Sequence, residues 1–291
     1  MIQNTVHSKL SILIVLYKKH YKNSVAITTL LRNAVCFNKK GISVEFFIWN
    51  NTPLCSPILS KQCLTWFEGN NNGLPYIYNR IANIAFMQGA THFMISDDDT
   101  DYSSEKYTDA VVAAMIFESR LASNLFGVML PKMYSKEKLV SPGLRFWFFC
   151  RLATRIDSGI VTSANKLAIN SGIIFNKLCY KTISPMFDER LQFYATDTAF
   201  FINYESYYAH FYVLDVALQH DLSEYTSNSV ELAIFRFKEM IRGFRVIFEH
   251  KSYLFRYLME AYLALYSVKK SFLYKKIVFF RLYIFSFKEK I

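Results

Sequence analysis

Apolar and polar positions alternate between two kinds of segment over the first third of the chain. Residues 11–17 are an almost unbroken apolar run, and at 23–37 the apolar residues Val25, Ile27, Leu30, Leu31, Ala34 and Val35 recur at helical spacing. The run reads as a strand buried on both faces, the recurrence as an amphipathic helix. Lys40-Gly41 ends that helix, residues 44–49 give a second strand, and Asn50-Asn51-Thr52-Pro53 supplies a turn. A short strand at 65–67 leads through Glu68-Gly69-Asn70-Asn71-Asn72-Gly73 into a helix with Pro75 in its first turn. Leu74, Ile77, Tyr78, Ile81, Ile84 and Ala85 form its apolar face. Gly89 closes it, His92-Phe93-Met94-Ile95-Ser96 is a fourth strand, and Ser103 or Ser104 caps a helix expected to run through Asn124. This alternation predicts a largely parallel sheet covered by helices.

Asp97, Asp98 and Asp99 directly follow the fourth strand. Ligands of open α/β sheets bind outside the carboxyl ends of the strands, and hard oxygen donors there suit Mg²⁺ or Mn²⁺ held together with phosphates. The alternative is that the aspartates cap the next turn with Asp101 and Ser103, but adjacent like charges destabilise one another unless a cation or solvent compensates. An EF-hand loop starting at Asp97 would need Gly at Tyr102 and Glu at Thr108. A phosphatase-like D-x-D-x-T pattern fails too, with Asp101 where Thr belongs and the cluster after several strands instead of on the first, so a metal-dependent phosphoryl-group hydrolase is only a distant competitor.

Composition narrows the picture. With 291 residues and 52% hydrophobic content, the chain can bury one large core or a core plus an appendage. The five cysteines, at 36, 55, 63, 150 and 179, form no CxxC pair, and their odd number argues against a disulfide framework and for a reducing cytoplasm. The apolar run at 10–16 is too short to span a bilayer and has no cleavage site after it, so it reads as a core strand and not a signal peptide. The net charge of +11 sits mainly at the end: residues 231–291 hold 13 of the 34 Lys and Arg but only 5 of the 23 acidic groups. That segment is rich in Phe, Tyr, Leu and Ile, yet its longest uncharged stretch runs only from Ala261 to Val268. A basic, aromatic helical tail of this kind can lie in the headgroup region of an anionic membrane. Its alternative is a helical layer packed on the domain with its cations in solvent. Lys269-Lys270 and Lys275-Lys276 exceed what solubility needs and favour the membrane surface. No nucleic-acid-binding motif accompanies the charge, so nucleic acid is not expected as a partner.

Further segments set the aspartates in a longer pattern. Asn71-Asn72-Gly73-Leu74 is followed by Asn79, and the second half contains Asn170-Ser171-Gly172, Phe187-Asp188-Glu189-Arg190-Leu191, Thr196-Asp197-Thr198-Ala199-Phe200 and Gln219-His220-Asp221-Leu222. In this order the segments resemble the family-2 glycosyltransferases, and within them the bacterial rhamnosyltransferase-like group. The strand at 12–17 and the turn at 50–53 are similar to that family's opening nucleotide-binding strands. Asn71, Gly73 and Asn79 match its N-x-G segment with a second Asn six residues on, and the three aspartates its D-x-D. The later stretches match its S-G, F-D-E and V-D-T-E-F segments, and His220 its late histidine. Two positions depart from the pattern: Asn50 or Trp49 stands where the family reads the base with Asp, and Ala199 stands where Glu is frequent. An Asn carbonyl can still accept from a pyrimidine N3–H.

The resemblance implies a GT-A fold: a Rossmann-like, mixed but mostly parallel sheet flanked by helices over residues 1–228, followed by the basic helical region 229–291. It implies an inverting, metal-dependent glycosyltransferase using a UDP- or dTDP-sugar, Mg²⁺ or Mn²⁺, and a saccharide acceptor in bacterial surface polysaccharide synthesis (O-antigen, capsule or lipooligosaccharide). The acceptor is expected to be lipid-linked and the protein peripheral on the cytoplasmic face of the inner membrane. By the same resemblance Asp197 is the general base, Tyr17, Asn50, Asn71, Gly73, Asn79, Asp97 and Asp98 bind the nucleotide-sugar, and Asp99 and His220 hold the metal. Ser171, Gly172 and Thr196 border the acceptor or donor sugar. The contrasting reading is a GT-A-like module that has lost catalysis and binds glycan or membrane.

Overall fold

The computed structural model describes residues 8–52, 64–121, 124–220 and 229–287. Pro53, Cys55, Cys63, Asp221, Leu222 and the boundary at 228 lie outside them. Four parallel strands open the fold: β1 (Ser8–Leu16), β2 (Ile42–Asn50), β3 (Leu64–Glu68) and β4 (His92–Asp97), arranged β3-β2-β1-β4. Three helices, α1 (Val25–Lys39), α2 (Leu74–Met87) and α3 (Lys106–Ser119), complete the alternating half. Successive side chains of a strand point to opposite faces, and both faces here are buried. Leu13, Phe47, Phe93 and Ile95 pack with α2 on one side, while Ile12, Ile14, Phe46, Ile48 and Met94 pack with α1 and α3 on the other.

The sheet continues as a mixed one. β11 (Ile174–Asn176) runs antiparallel between β4 and β5 (Phe126–Ser135), β12 (His210–Gln219) is parallel to β5, and β9 (Gly159–Thr162) closes the edge antiparallel to β12. β6 (Lys138–Ser141) pairs with β5, while β7 (Gly143–Phe146), β8 (Phe149–Arg151) and β10 (Lys166–Leu167) form a small separate sheet. Helices α4 (Lys177–Thr182) and α5 (Thr196–Tyr204) stand between β11 and β12.

Two helices differ from expectation. In α1, Val25 and Val35 are 42% and 56% exposed, whereas Thr29 and Phe37 are buried. The Ser24 hydroxyl caps the helix by accepting from the Ile27 N–H at 3.2 Å, and Thr29 donates to the Val25 carbonyl, so a residue that is polar by type turns inward. In α3, neither Ser103 nor Ser104 supplies a side-chain cap; the helix begins after Glu105 and ends at Ser119. Asp101 Oδ1 accepts from the Ser103 N–H at 2.8 Å and holds that residue in a local turn.

Gly172 fixes the junction of the two halves. Its N–H donates to the Ile95 carbonyl at 2.8 Å, the Ile95 N–H returns to the Ile173 carbonyl at 3.1 Å, and its φ is +80°. A Cβ there would lie 2.8 Å from Met133 Cε and 2.9 Å from Pro131 Cγ. Only glycine adopts this backbone without strain, and the proline ring cannot yield. Gly172→Ala is expected to destabilise the protein by roughly 2–4 kcal/mol, from the left-handed penalty plus overpacking, read as a lower denaturant midpoint in equilibrium unfolding.

The basic tail packs on the domain. Helices α6 (Val230–Ile247), α7 (Tyr253–Tyr274) and α8 (Val278–Phe285) bury Phe237, Ile241, Met259, Leu263, Phe279 and Tyr283 in a third core. Phe148, at the turn of the β7–β8 hairpin, belongs to that core, while Trp147 packs at a tilt against Phe255 and Phe149 edge-on against Tyr262. The aromatic run at 146–149 is therefore a clasp between the hairpin and the tail. α6 presses so closely on the preceding turn that a Cβ on Gly243 would sit 2.7 Å from Ala195 Cβ. Arg190 pairs with Glu249 at 2.7 Å. Among the described residues, no helix is long and apolar enough to cross a membrane.

Candidate active site

β4 delivers the three aspartates to the carboxyl edge of the sheet, and hydrogen bonds send them in different directions. The Asp97 N–H donates to Ser171 Oγ at 2.9 Å, which anchors the strand end to the turn before β11. Asp98 faces the β1–α1 connection: its carboxylate pairs with Lys19 Nζ at 2.7 Å, and its carbonyl accepts from Ser24 Oγ at 2.8 Å and from the Ala26 N–H. Asp97 and Asp99 converge instead on His220, with one potential ligand atom from each of the three within 4.8 Å of the others.

His220 reaches this place through the backbone of β12. The Asp101 N–H donates to the Gln219 carbonyl at 3.4 Å, and the His220 N–H to the Tyr134 carbonyl at 2.9 Å. The buried Thr100 hydroxyl then lies 2.9 Å from His220 Nδ1 and 2.7 Å from Ser171 Oγ, fixing the imidazole by a partner outside the ligand set. His220 Nδ1 is also 3.7 Å from Asp99 Oδ1.

The electrostatics of this group call for a cation. Asp99 Oδ1 is buried and has no hydrogen-bond partner. A carboxylate oxygen stripped of water and given no donor is costly unless a positive charge meets it. Burial pushes the Asp97 carboxyl up to about 6; His220 opposes the shift, and Asp99, Asp98 and Asp197 add to it. Two carboxylates and an imidazole suit a divalent cation that accepts both oxygen and nitrogen, Mn²⁺ more readily than Mg²⁺.

Asp197 lies within electrostatic reach of this group. Its charge acts on both Asp97 and the buried Tyr78, whose phenol is held well above its ordinary value by burial and then by the two carboxylates. Asp197 lies in the first turn of α5, after Ala195, which takes the cap position with φ 65°; Asp197 itself is therefore not the cap. Its Oδ1 accepts from the Thr198 N–H at 2.6 Å, but desolvation prevails and raises its carboxyl. A ladder joins the two acidic positions: Ser171 holds Asp97, the neighbouring Asn170 donates to Thr196 Oγ1 at 2.9 Å, and Thr196 starts the helix bearing Asp197. Desolvation and then the Asp197 charge push the Cys150 thiol of β8 up to about 11, which puts the aromatic hairpin within electrostatic reach of this carboxylate.

The remaining sequence candidates lie along the same sheet edge or support it. Asn50 ends β2 buried, its Oδ1 accepting from the Thr52 N–H and its Nδ2 without a partner. Tyr17 follows β1 and is 47% exposed. Asn71 adopts φ 55°, with its N–H on the Asn51 carbonyl, while Asn51 clamps the Asn72 backbone through both side-chain atoms. Gly73 takes the cap position of α2, where a Cβ would lie 3.0 Å from Gln192 Oε1. Asn79 is the one drawn away: its amide is bonded in both directions to the Phe187 backbone and to Glu189, and it touches none of the aspartates. Asp188 is occupied by Arg190. Sequence reasoning missed Thr100, Lys19 and the polar side of Tyr78. A signal for Thr100 was its place directly after the acidic run.

No family model matches this chain, and no curated protein matches it. Among solved structures the fold is similar to the crystal structure of GalNAc-T7 with UDP, GalNAc and Mn²⁺, at TM-score 0.57 and 10% identity, covering 90% of this chain and 51% of that one. The chain thus spans about half the length of that protein, and the likeness shows the fold: a mostly parallel, helix-flanked GT-A sheet with a C-terminal helical tail. A looser similarity to A197 from STIV, at TM-score 0.43 and 11% identity over 74% of this chain and 87% of that one, is too distant to define a shared fold.

Proposed function

We propose that this chain is an inverting, metal-dependent glycosyltransferase that moves a sugar from a UDP- or dTDP-sugar to a saccharide hydroxyl. The observation that carries the reading is the unpartnered, buried Asp99 Oδ1 beside Asp97 and His220, at the carboxyl edge of a GT-A sheet and within reach of the charge of Asp197. The similar structure was solved with UDP, GalNAc and Mn²⁺, which favours the same ligand classes here.

Asp97, Asp99 and His220 would hold Mn²⁺ or Mg²⁺, which when bound neutralises charge on the departing diphosphate. Asn50, Tyr17, Asn71 and Gly73 form the nucleotide end, with the Asn50 amide offered to the base. Asp98 serves this end indirectly by fixing Lys19 and the start of α1. Asp197 acts on the acceptor. Its carboxylate takes the proton from the acceptor hydroxyl while that oxygen bonds to the anomeric carbon, and the bond from that carbon to the diphosphate breaks with its electron pair on the leaving oxygen. Burial raises the basicity of Asp197 toward that task. Ser171, Gly172 and Thr196 shape the turn between the two acidic positions.

The resemblance to the rhamnosyltransferase-like group favours rhamnose among the donor sugars and bacterial surface polysaccharide as the product. The acceptor is a lipid-linked saccharide at the cytoplasmic membrane face. A thermal-shift panel of UDP, dTDP, GDP and CDP with and without Mn²⁺ tests the nucleotide end. A shift of several degrees for UDP or dTDP only when Mn²⁺ is present is expected, since a ligand of the native state raises apparent stability. A flat response to every nucleotide counts against the reading.

A further inference from the structure

The tail helices bury one side and leave a particular tip uncovered. Where α7 turns into α8, Phe272, Leu273 and Ile277 are 80%, 67% and 61% exposed, although Phe279, two residues after Ile277, is completely buried in the third core. The turn is a tightly bonded one. Lys275 adopts φ 51° with its N–H on the Phe272 carbonyl at 3.2 Å, the Lys276 N–H donates to the Ser271 carbonyl at 3.0 Å, and the Phe280 N–H donates to Ser271 Oγ at 3.2 Å. Three large apolar side chains are therefore presented by ordered backbone.

The charges around the tip select what it meets. Lys269, Lys275 and Lys276 are exposed beside it, and no acidic residue occurs anywhere from 261 to 287. A water-facing tip needs no cluster of this kind, and exposed apolar groups rimmed by polar ones mark an interaction surface. A second copy docking tip to tip about a two-fold axis would oppose lysine to lysine. An anionic bilayer takes both elements at once, phosphates meeting the ammonium groups while aromatic and aliphatic side chains enter the headgroup and acyl boundary.

We propose that the α7–α8 turn is a docking tip for an anionic lipid bilayer. This rests on the membrane-bound acceptor of the proposed function and deepens it by naming the element that contacts the surface. Docking is by partition of three side chains and by charge, with no spanning segment, so it is reversible and salt-sensitive.

The test is cosedimentation of the full chain with phosphatidylcholine vesicles and with vesicles containing about 30% phosphatidylglycerol, at low and high salt. The wild type is expected to bind the anionic vesicles at least about tenfold more tightly, with the preference lost at high salt. Phe272→Ser with Leu273→Ser and Ile277→Ser, and separately Lys275→Glu with Lys276→Glu, are each expected to lower binding about tenfold or more. The nucleotide-dependent thermal shift of each variant should stay at the wild-type value, so that loss of docking and failure of the active-site reading are separable. Equal sedimentation with both vesicle types, or binding unchanged in both variants, overturns the proposal. So does light scattering that finds a wild-type dimer dissociated by the serine substitutions, because the tip would then be covered by a second copy.

Discussion

Replacing Asp197 with Asn is expected to lower sugar transfer by about 10²–10⁴-fold, the range for loss of a positioned general base, while donor affinity changes by less than about twofold. The variant keeps the local structure. Asn retains an oxygen in place of the Oδ1 that accepts from the Thr198 N–H, and α5 is capped at Ala195, not by residue 197. What disappears is the capacity to take a proton. The pH profile gives an independent readout: the wild-type rate should rise with pH through a midpoint above the ordinary carboxylate value, because burial raises the Asp197 carboxyl. The residual activity of Asp197→Asn should lack that limb. Equal losses in donor binding and thermal stability, with the limb retained, would assign Asp197 a packing role.

Asp97→Asn is expected to make the metal-free protein more stable and the site inactive. In the folded chain the Asp97 carboxyl is pushed up to about 6, above its value of about 3.9 in the unfolded chain. Below the unfolded value both states are protonated and the group has no effect. As pH rises through the folded value the native state must ionise a desolvated carboxyl among like charges, and above it the cost is on the order of 1–3 kcal/mol. Asn removes that cost, so the variant should unfold at higher denaturant than wild type at pH 7.5 and nearly with it at pH 4. Mn²⁺ should stabilise the wild type and leave the variant unmoved, and transfer should fall by about 10²–10³-fold or more. A variant less stable than wild type at pH 7.5 would mean that the aspartates are stabilising turn caps and no cation site.

The alternating half of the fold was readable because its information is local. Strands β1, β2 and β4 are buried on both faces and so appear as apolar runs, and α1 and α2 announce themselves by spacing. Rotation of a helix about its axis is not local, which is why Val25 and Val35 were placed inward while Thr29 and Phe37 hold those places. β11 has only three residues, too few to show a period, yet its insertion between β4 and β5 makes the sheet mixed. The aromatic run at 146–149 has no meaning until α7 lies beside it.

The site was legible in its acidic members and not in its wiring. Three adjacent carboxylates after an apolar strand are a physical anomaly that sequence displays. The Thr100 link depends on β12 returning His220 across 120 residues, and no spacing rule reports such a contact. Asn79 shows the converse. A motif position suited to the nucleotide is occupied by a clasp to Phe187 and Glu189, because α2 carries it past the sheet edge to the segment before α5.

Asp97, Asp99 and His220 are proposed to form, with Asp197, a metal-dependent site for breaking a nucleotide-sugar bond. Its most direct measurement is release of nucleoside diphosphate from a panel of UDP- and dTDP-sugars by the full chain with a saccharide acceptor, in Mn²⁺ and in EDTA. Release from at least one donor is expected, abolished by EDTA and by Asp99→Asn. Release that is indifferent to EDTA, or that persists undiminished in Asp99→Asn, would contradict this assignment.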